Sequence, residues 1–279
     1  MKRLQLILFL GKTLQFFSSK LATIYAIKLF GTVIKHKVPK REFAMNDNSI
    51  QKKILVSKIN KHIHTYEYGK PTNQKVLLIH GWSGRGTQLF KIADELIKNG
   101  YWVFSFDAPS HGKSEGTTTL MPEFIASIHE MQQQFGPFEC IIGHSMGGMT
   151  SLKAIAEGLI VKKAVVISSG DKIQDILDEF LKTFQFSEKI GKLMKKHYEK
   201  QLKQSMNSLS SYISAQQVSI PVLIIHDKND DEIPLFCAMN IHTNLKGSEL
   251  FVTEKLGHRK ILGDQKVIEK IINFIQQIP

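Results

Sequence analysis

The chain has 279 residues, 42% of them hydrophobic and 22% charged, the balance of a folded protein and a length that one α/β domain around one sheet can use. Its net charge of +12 is unevenly placed: residues 1–41 hold nine of the 37 Lys and Arg and none of the 25 Asp and Glu, leaving 28 basic against 25 acidic side chains elsewhere. The body is nearly neutral and carries no zinc-finger spacing or RNA-binding sheet signature, so no nucleic-acid partner is expected.

In chain order, residues 1–45 come first, a basic, apolar segment expected to be helical. Its start, MKRLQLILFLGK, has the positive and apolar order of a signal peptide, but the apolar run is short and no A-x-A-like site follows, so cleavage is not expected. Lys12, Lys20 and Lys28 interrupt every candidate span, leaving no stretch of about 18 apolar residues to cross a membrane. A cytoplasmic chain is expected, with two outcomes open for residues 1–41. They pack as short helices on the body, or they rest on an anionic bilayer as a peripheral contact. Cys140 and Cys237 lie far from any Cys-x-x-Cys spacing, which argues against a disulfide framework.

Residues 46–279 are expected to form the main domain. Residues 52–59 and 62–68 read as a hairpin turned at Asn60 and Lys61. Short continuous apolar runs follow at 76–79, 102–106, 140–142, 164–167 and 222–225, with a last strand at 250–253. Such runs suit strands buried on both faces. Helix-length stretches lie between them at about 87–99, 122–135 and 146–158, and Gln265–Ile278 closes the chain. Alternating strands and helices predict an α/β fold with a mostly parallel central sheet and helices on both faces. One connection is too long for a plain crossover. At about 171–216, Ile173, Ile176, Leu177, Phe180, Leu181 and Phe184 recur at helical spacing, which predicts an inserted helical cap. Phe180, Phe184 and Phe186 give it an aromatic character suited to an apolar acyl or aromatic group.

The strongest chemical signal is Gly143-His144-Ser145-Met146-Gly147-Gly148, directly after one strand and before a helix. G-x-S-x-G in that setting makes a sharp turn that exposes the serine hydroxyl at a helix N-terminus. A serine needs a base, and ligands bind at the carboxyl edge of such sheets, so the base belongs in a loop just after a strand. His258, in Leu256-Gly257-His258-Arg259, fits. His80, His111, His144 and His226 also end strands but adjoin other motif elements, where local hydrogen bonding is the simpler role. The third member should follow a strand between Ser145 and His258; the loop after 222–225 offers Asp227, Asp230 and Asp231.

From about residue 50 onward the chain resembles the α/β-hydrolase superfamily, including the order Ser, Asp, His. Ile225-His226-Asp227-Lys228-Asn229-Asp230-Asp231-Glu232-Ile233-Pro234 is similar to its H-G-x-x-D-x-x-x-P loop, and alignment on Pro234 implies Asp230 as the acid. Asp227 then stands at the family's glycine, a departure. Members carrying the acid one strand earlier would use Asp171. His80-Gly81-Trp82 resembles the oxyanion loop, which implies the backbone N–H groups of Trp82 and Met146 as oxyanion donors. Asp107 to Gly116 is similar to the D-x-P-G-H-G-x-S-x-G loop, with Ser110 in place of a glycine.

The resemblance implies acyl transfer by Ser145, His258 and Asp230 on a small-molecule ester or thioester, with no metal or organic cofactor. A serine rather than an aspartate at the nucleophile position argues against epoxide hydrolase or haloalkane dehalogenase chemistry. Carbon–carbon bond hydrolases and peptidases use the same triad and stand as alternatives, as does a non-catalytic binding protein on the same fold.

Overall fold

The computed structural model describes residues 2–277; Ile278, assigned above to the closing helix, lies outside them with Met1 and Pro279. Eight strands form one sheet: β1 (Ile50–Val56), β2 (Lys61–Tyr68), β3 (Lys75–Ile79), β4 (Trp102–Asp107), β5 (Phe138–His144), β6 (Val161–Ile167), β7 (Val222–Asp227) and β8 (Ser248–Thr253). Their order is β1-β2-β4-β3-β5-β6-β7-β8. β2 runs antiparallel to both β1 and β4, and every other pairing is parallel. The β1–β2 connection is a short 3-10 turn ending at Asn60, whose left-handed φ of 48° reverses the chain. The strand order changes direction at β3, which pairs with β4 on one side and β5 on the other. In open sheets of this kind ligands bind at the switch point, here beyond the carboxyl ends of β3 and β5, where Gly81 and Ser145 lie.

The helices are α1 (Lys2–Phe17), α2 (Ser19–Gly31), α3 (Phe43–Asn48), α4 (Phe90–Lys98), α5 (Met121–Phe135), α6 (Met146–Ala156), α7 (Ile173–Phe184), α8 (Glu188–Leu202), α9 (Ser211–Ala215), α10 (Leu235–Asn244), α11 (Gly257–Lys260) and α12 (Gln265–Gln276). The chain divides into two compact units, one of residues up to Thr32 with Lys172–Ser210, the other of Val33–Asp171 with residues from Ser211 onward.

The second unit holds the sheet. On one face Leu78, Ile142, Ile167 and Ile225 share a core with Ile92 and Leu96 of α4 and Val267 and Ile271 of α12. On the other face α5 and α6 pack together, α6 against β5. Leu77, Ile79, Ile141, Val166 and Ile224 are buried as well, which is why these strands carry no polar alternation. α4 and α12 each turn one apolar stripe inward, as the 3.6-residue period requires. The Asp264 side chain starts α12 by accepting the Val267 N–H at 3.1 Å.

The first unit is built from α1, α2, α7 and α8. α1 approaches the insert closely at Gly11, where a Cβ would lie 3.3 Å from Phe186 Cε1. Phe180 packs against Phe30 of α2 with ring centroids 5.0 Å apart, Phe184 lies 4.9 Å from Phe180, and Phe186 meets Tyr25 at 6.3 Å. Phe180 and Phe186, expected above to suit an apolar substrate group, pack instead against the N-terminal helices, while Phe184 packs on Phe180 within the insert.

The observed division differs from the one drawn from sequence. Residues 33–45 do not continue the N-terminal segment but are bound to the sheet unit. Val33 N–H donates to the Thr117 carbonyl at 3.1 Å, Lys35 Nζ to the Ser114 carbonyl at 2.6 Å, and buried Glu42 accepts from Thr87 Oγ1 at 2.7 Å. The insert is likewise shorter than 171–216. Asp171 and Ser211 are joined within the sheet unit by Ser211 N–H to the Asp171 carbonyl at 2.7 Å, and α9 packs on α6. Composition is continuous through both boundaries; tertiary partners set them.

Candidate active site

β5 passes into α6 with one residue between them. Ser145 takes that position with φ 54° and ψ −120°, a conformation that costs a non-glycine residue about 1–3 kcal/mol. Its N–H donates to the Ile167 carbonyl of β6 at 2.9 Å, and its carbonyl accepts from Gly148 N–H at 2.9 Å, which holds the turn. Small neighbours are required sterically, because a Cβ on Gly147 would lie 2.3 Å from the Ile79 carbonyl. Gly81 rests against the serine itself, where a Cβ would lie 2.9 Å from Ser145 Cβ. Met146 is the first residue of α6, so its N–H has no carbonyl one turn back within the helix.

His258 lies in a four-residue helix rather than a plain loop. Its Nδ1–H donates to Asp230 Oδ2 at 2.8 Å, and both residues are buried. Asp230 Oδ1 accepts the N–H groups of Glu232 and Ile233 at 3.0 and 2.9 Å, so the carboxylate is fixed from both ends. Burial alone raises the Asp230 pKa, but the bonds from His258 and the Ile233 N–H outweigh it and hold the carboxyl below its ordinary value. Asp171 does not take this place; its buried carboxylate accepts from Asn240 Nδ2 at 2.5 Å. Asp231 is exposed.

Several residues whose local sequence gives little sign of it position His258. Asp227 Oδ1 accepts the N–H groups of Asn229 and Gly257, each at 2.9 Å, while Oδ2 accepts Thr253 Oγ1 at 2.7 Å and Leu256 N–H at 3.1 Å. It thus straps the loop before His258 to the end of β7. Burial opposes its charge, yet these bonds leave its pKa below the ordinary value. The only hint in the sequence was an aspartate at the family's glycine. His144 Nε2–H donates to the His258 carbonyl at 2.9 Å, so the residue before the serine is tied to the histidine. Burial pushes the His144 pKa down to about 3, which keeps it neutral at pH 7. Glu232 Oε2 lies 3.8 Å from His258 Nε2, while its Oε1 pairs with Arg259 Nη2 at 3.0 Å. Among the described residues Ser145 Oγ has no hydrogen bond to His258; such bonds are often long before substrate arrives and tighten with it.

The histidines at the other strand ends serve the loops. His80 Nδ1–H donates to the Gly81 carbonyl at 2.6 Å while its Nε2 accepts Ala108 N–H at 3.0 Å. His111 Nε2 accepts Ser83 N–H at 3.0 Å, and its Nδ1–H donates to the Pro109 carbonyl at 3.0 Å. Burial lowers the pKa of both, that of His111 to about 4, so each remains neutral and able to accept. Asp107 completes the clamp by accepting Gly86 N–H and Lys113 N–H at 2.7 Å each and Tyr66 Oη–H at 3.0 Å. The segment carrying Trp82 is therefore anchored through the loop after β4. Among the described residues no group of three His, Cys, Asp or Glu side chains could hold a metal ion.

The mostly parallel eight-stranded sheet with helices on both faces, carrying a strained serine between β5 and α6, defines an α/β-hydrolase. Residues 70–220 match the profile of the serine aminopeptidase S33 family, and the chain belongs to that family. It is similar to an AB hydrolase superfamily protein of Bacillus subtilis, 22% identical over 261 residues that cover 77% of this chain and 96% of the relative. Among solved structures, an esterase from Exiguobacterium antarcticum superposes with a TM-score of 0.65 at 20% identity, covering 82% of this chain and all of that one. A bacterial membrane phospholipase A, described as a virulence factor, superposes with a TM-score of 0.65 at 14% identity over the full length of both chains.

Proposed function

We propose that this hydrolase cleaves a carboxylic ester or thioester through an acyl-enzyme on Ser145, with His258 as general base and Asp230 orienting it. The observation that carries the reading is the 2.8 Å bond from His258 Nδ1–H to Asp230 Oδ2 in a segment tied by His144 to the serine turn. With its proton held on Nδ1, His258 presents the Nε2 lone pair. Ser145 Oγ attacks the substrate carbonyl carbon as Nε2 takes the hydroxyl proton, and the carbonyl electrons move onto oxygen. The N–H groups of Trp82 and Met146 receive that oxyanion. Collapse expels the alkoxide or thiolate, which takes the proton from Nε2. Water then repeats the sequence on the acyl-enzyme and restores Ser145.

The esterase likeness and the family's name bring different leaving groups into view, and both suit the same acyl transfer. The test is a panel of acyl p-nitrophenyl esters, acyl thioesters and aminoacyl anilides offered to the wild-type chain and to Ser145→Ala. Ester or thioester turnover that vanishes in the variant supports the reading. Turnover of the anilides alone replaces the ester with an amide, and activity retained in Ser145→Ala removes the serine mechanism.

A further inference from the structure

Helix α1 has two apolar sides. One is covered: Gly11 is buried against Phe186, and Ile7, Leu8 and Leu14 are half-buried. The other carries Leu6, Phe9, Phe16 and Phe17, which share a face at 3.6 residues per turn and are 57, 65, 84 and 77% exposed. Large apolar side chains gathered in solvent on one helix face mark an interaction surface. Leu21 and Ile24 add exposed apolar surface on α2. The charges that α1 and α2 themselves carry are of one sign: Lys12, Lys20 and Lys28 are exposed, and residues 1–41 contain no Asp or Glu.

We propose that the exposed side of α1 and α2 docks the chain onto an anionic lipid bilayer, with Phe9, Phe16 and Phe17 entering the acyl boundary and the lysines meeting the headgroups. An anionic bilayer satisfies both demands of the surface at once, apolar burial and a negative field. The helices lie on the membrane and do not cross it. α1 has 16 residues and α2 has 13, so at 1.5 Å per residue each is about 20–24 Å long, short of a hydrocarbon core of about 30 Å. No helix among the described residues is long and apolar enough to span. The proposal concerns where the protein resides and does not depend on which bond it cleaves.

The test is co-sedimentation of the full-length chain with vesicles of phosphatidylcholine alone and of phosphatidylcholine with phosphatidylglycerol, at low and high salt. The anionic vesicles are expected to carry the protein down, with binding weakened by salt. Lys12→Gln/Lys20→Gln/Lys28→Gln should weaken binding by about a hundredfold, at roughly fivefold per lysine. Phe16→Ser/Phe17→Ser should reduce it by at least about tenfold, since each exchange withdraws an aromatic ring from the acyl region. All these side chains are exposed, and unchanged melting curves establish that the variants fold. Failure of the wild-type chain to sediment with anionic vesicles overturns the proposal, as does equal binding by wild type and both variants. A dimer that forms without lipid and that Phe16→Ser/Phe17→Ser dissolves would assign the surface to a second copy instead.

Discussion

Replacing Asp230 by Asn separates orientation of the base from stability of the fold. The two shapes match, and the Asn carboxamide oxygen keeps the N–H donors of Glu232 and Ile233, at 3.0 and 2.9 Å in the wild type. The amide NH₂ then stands where Oδ2 accepted His258 Nδ1–H at 2.8 Å. A donor now faces a donor. His258 resolves the conflict by moving its proton to Nε2, the atom that accepts from Ser145 in the proposed mechanism, and turnover by that route requires the disfavoured tautomer. Loss of a charge-assisted hydrogen bond alone would cost about 1.5–3 kcal/mol, roughly 10- to 100-fold in rate. The wrong tautomer costs on the order of 10⁴-fold, as in serine proteases of unrelated fold. The assay is kcat/KM on the best ester of the panel, with a melting curve for each variant. Asp230→Asn should fold and lose about four orders of magnitude, while Asp171→Asn, whose wild-type carboxylate is paired with Asn240, stays near wild type. A loss below about tenfold in Asp230→Asn, or the large loss falling on Asp171→Asn, would refute the reasoning.

Asp227→Ala removes a buried acceptor of four hydrogen bonds and should cost about 3 kcal/mol, read as a Tm lower by roughly 10 °C. Because the folded-state pKa values of Asp227 and Asp230 are depressed, their stabilisation is full above the ordinary carboxylate range and is lost as pH falls through the depressed values. Melting temperature plotted against pH should therefore drop on the acid side and drop less steeply in Asp227→Asn, whereas parallel curves would show that Asp227 contributes nothing there. Gly81→Ala places a methyl 2.9 Å from Ser145 Cβ and should cost about 100-fold in kcat with little change in Tm; an unchanged kcat would show that the loop yields freely. Phe186→Ala empties the contact with Gly11 and Tyr25, and a buried Phe is worth about 3–5 kcal/mol. Limited proteolysis should then cut within residues 4–32 sooner than in the wild type, and equal cleavage rates would remove Phe186 as the anchor of those helices.

Much of the sheet was legible because its strands are buried on both faces and so read as unbroken apolar runs between turn residues. The serine turn was legible because Gly143, Gly147 and Gly148 are spaced by steric need at one strand-to-helix junction. The pairing of Asp230 with His258 was not readable from local pattern, since Asp227, Asp230 and Asp231 share one loop and only three-dimensional register separates them. The strapping role of Asp227 is hidden for a physical reason: its four donors come from residues 229, 253, 256 and 257, and no periodicity links them to it. The partner of α1 and α2 was equally hidden. Apolar helical spacing marks a face to be covered but does not name what covers it, and Phe180 and Phe186 are distant in sequence from Phe30 and Tyr25, the residues they meet.

The central claim is that Ser145 is a nucleophile activated by its surroundings, and labelling with a fluorophosphonate probe followed by peptide mass spectrometry tests it most directly. The probe phosphonylates an activated serine oxygen and displaces fluoride, so it requires no knowledge of the substrate. One adduct is predicted, on the peptide containing Ser145, absent in Ser145→Ala and slowed by several orders of magnitude in His258→Ala and Asp230→Asn. No adduct on the folded wild-type chain, or equal labelling of Ser145→Ala, would contradict the account.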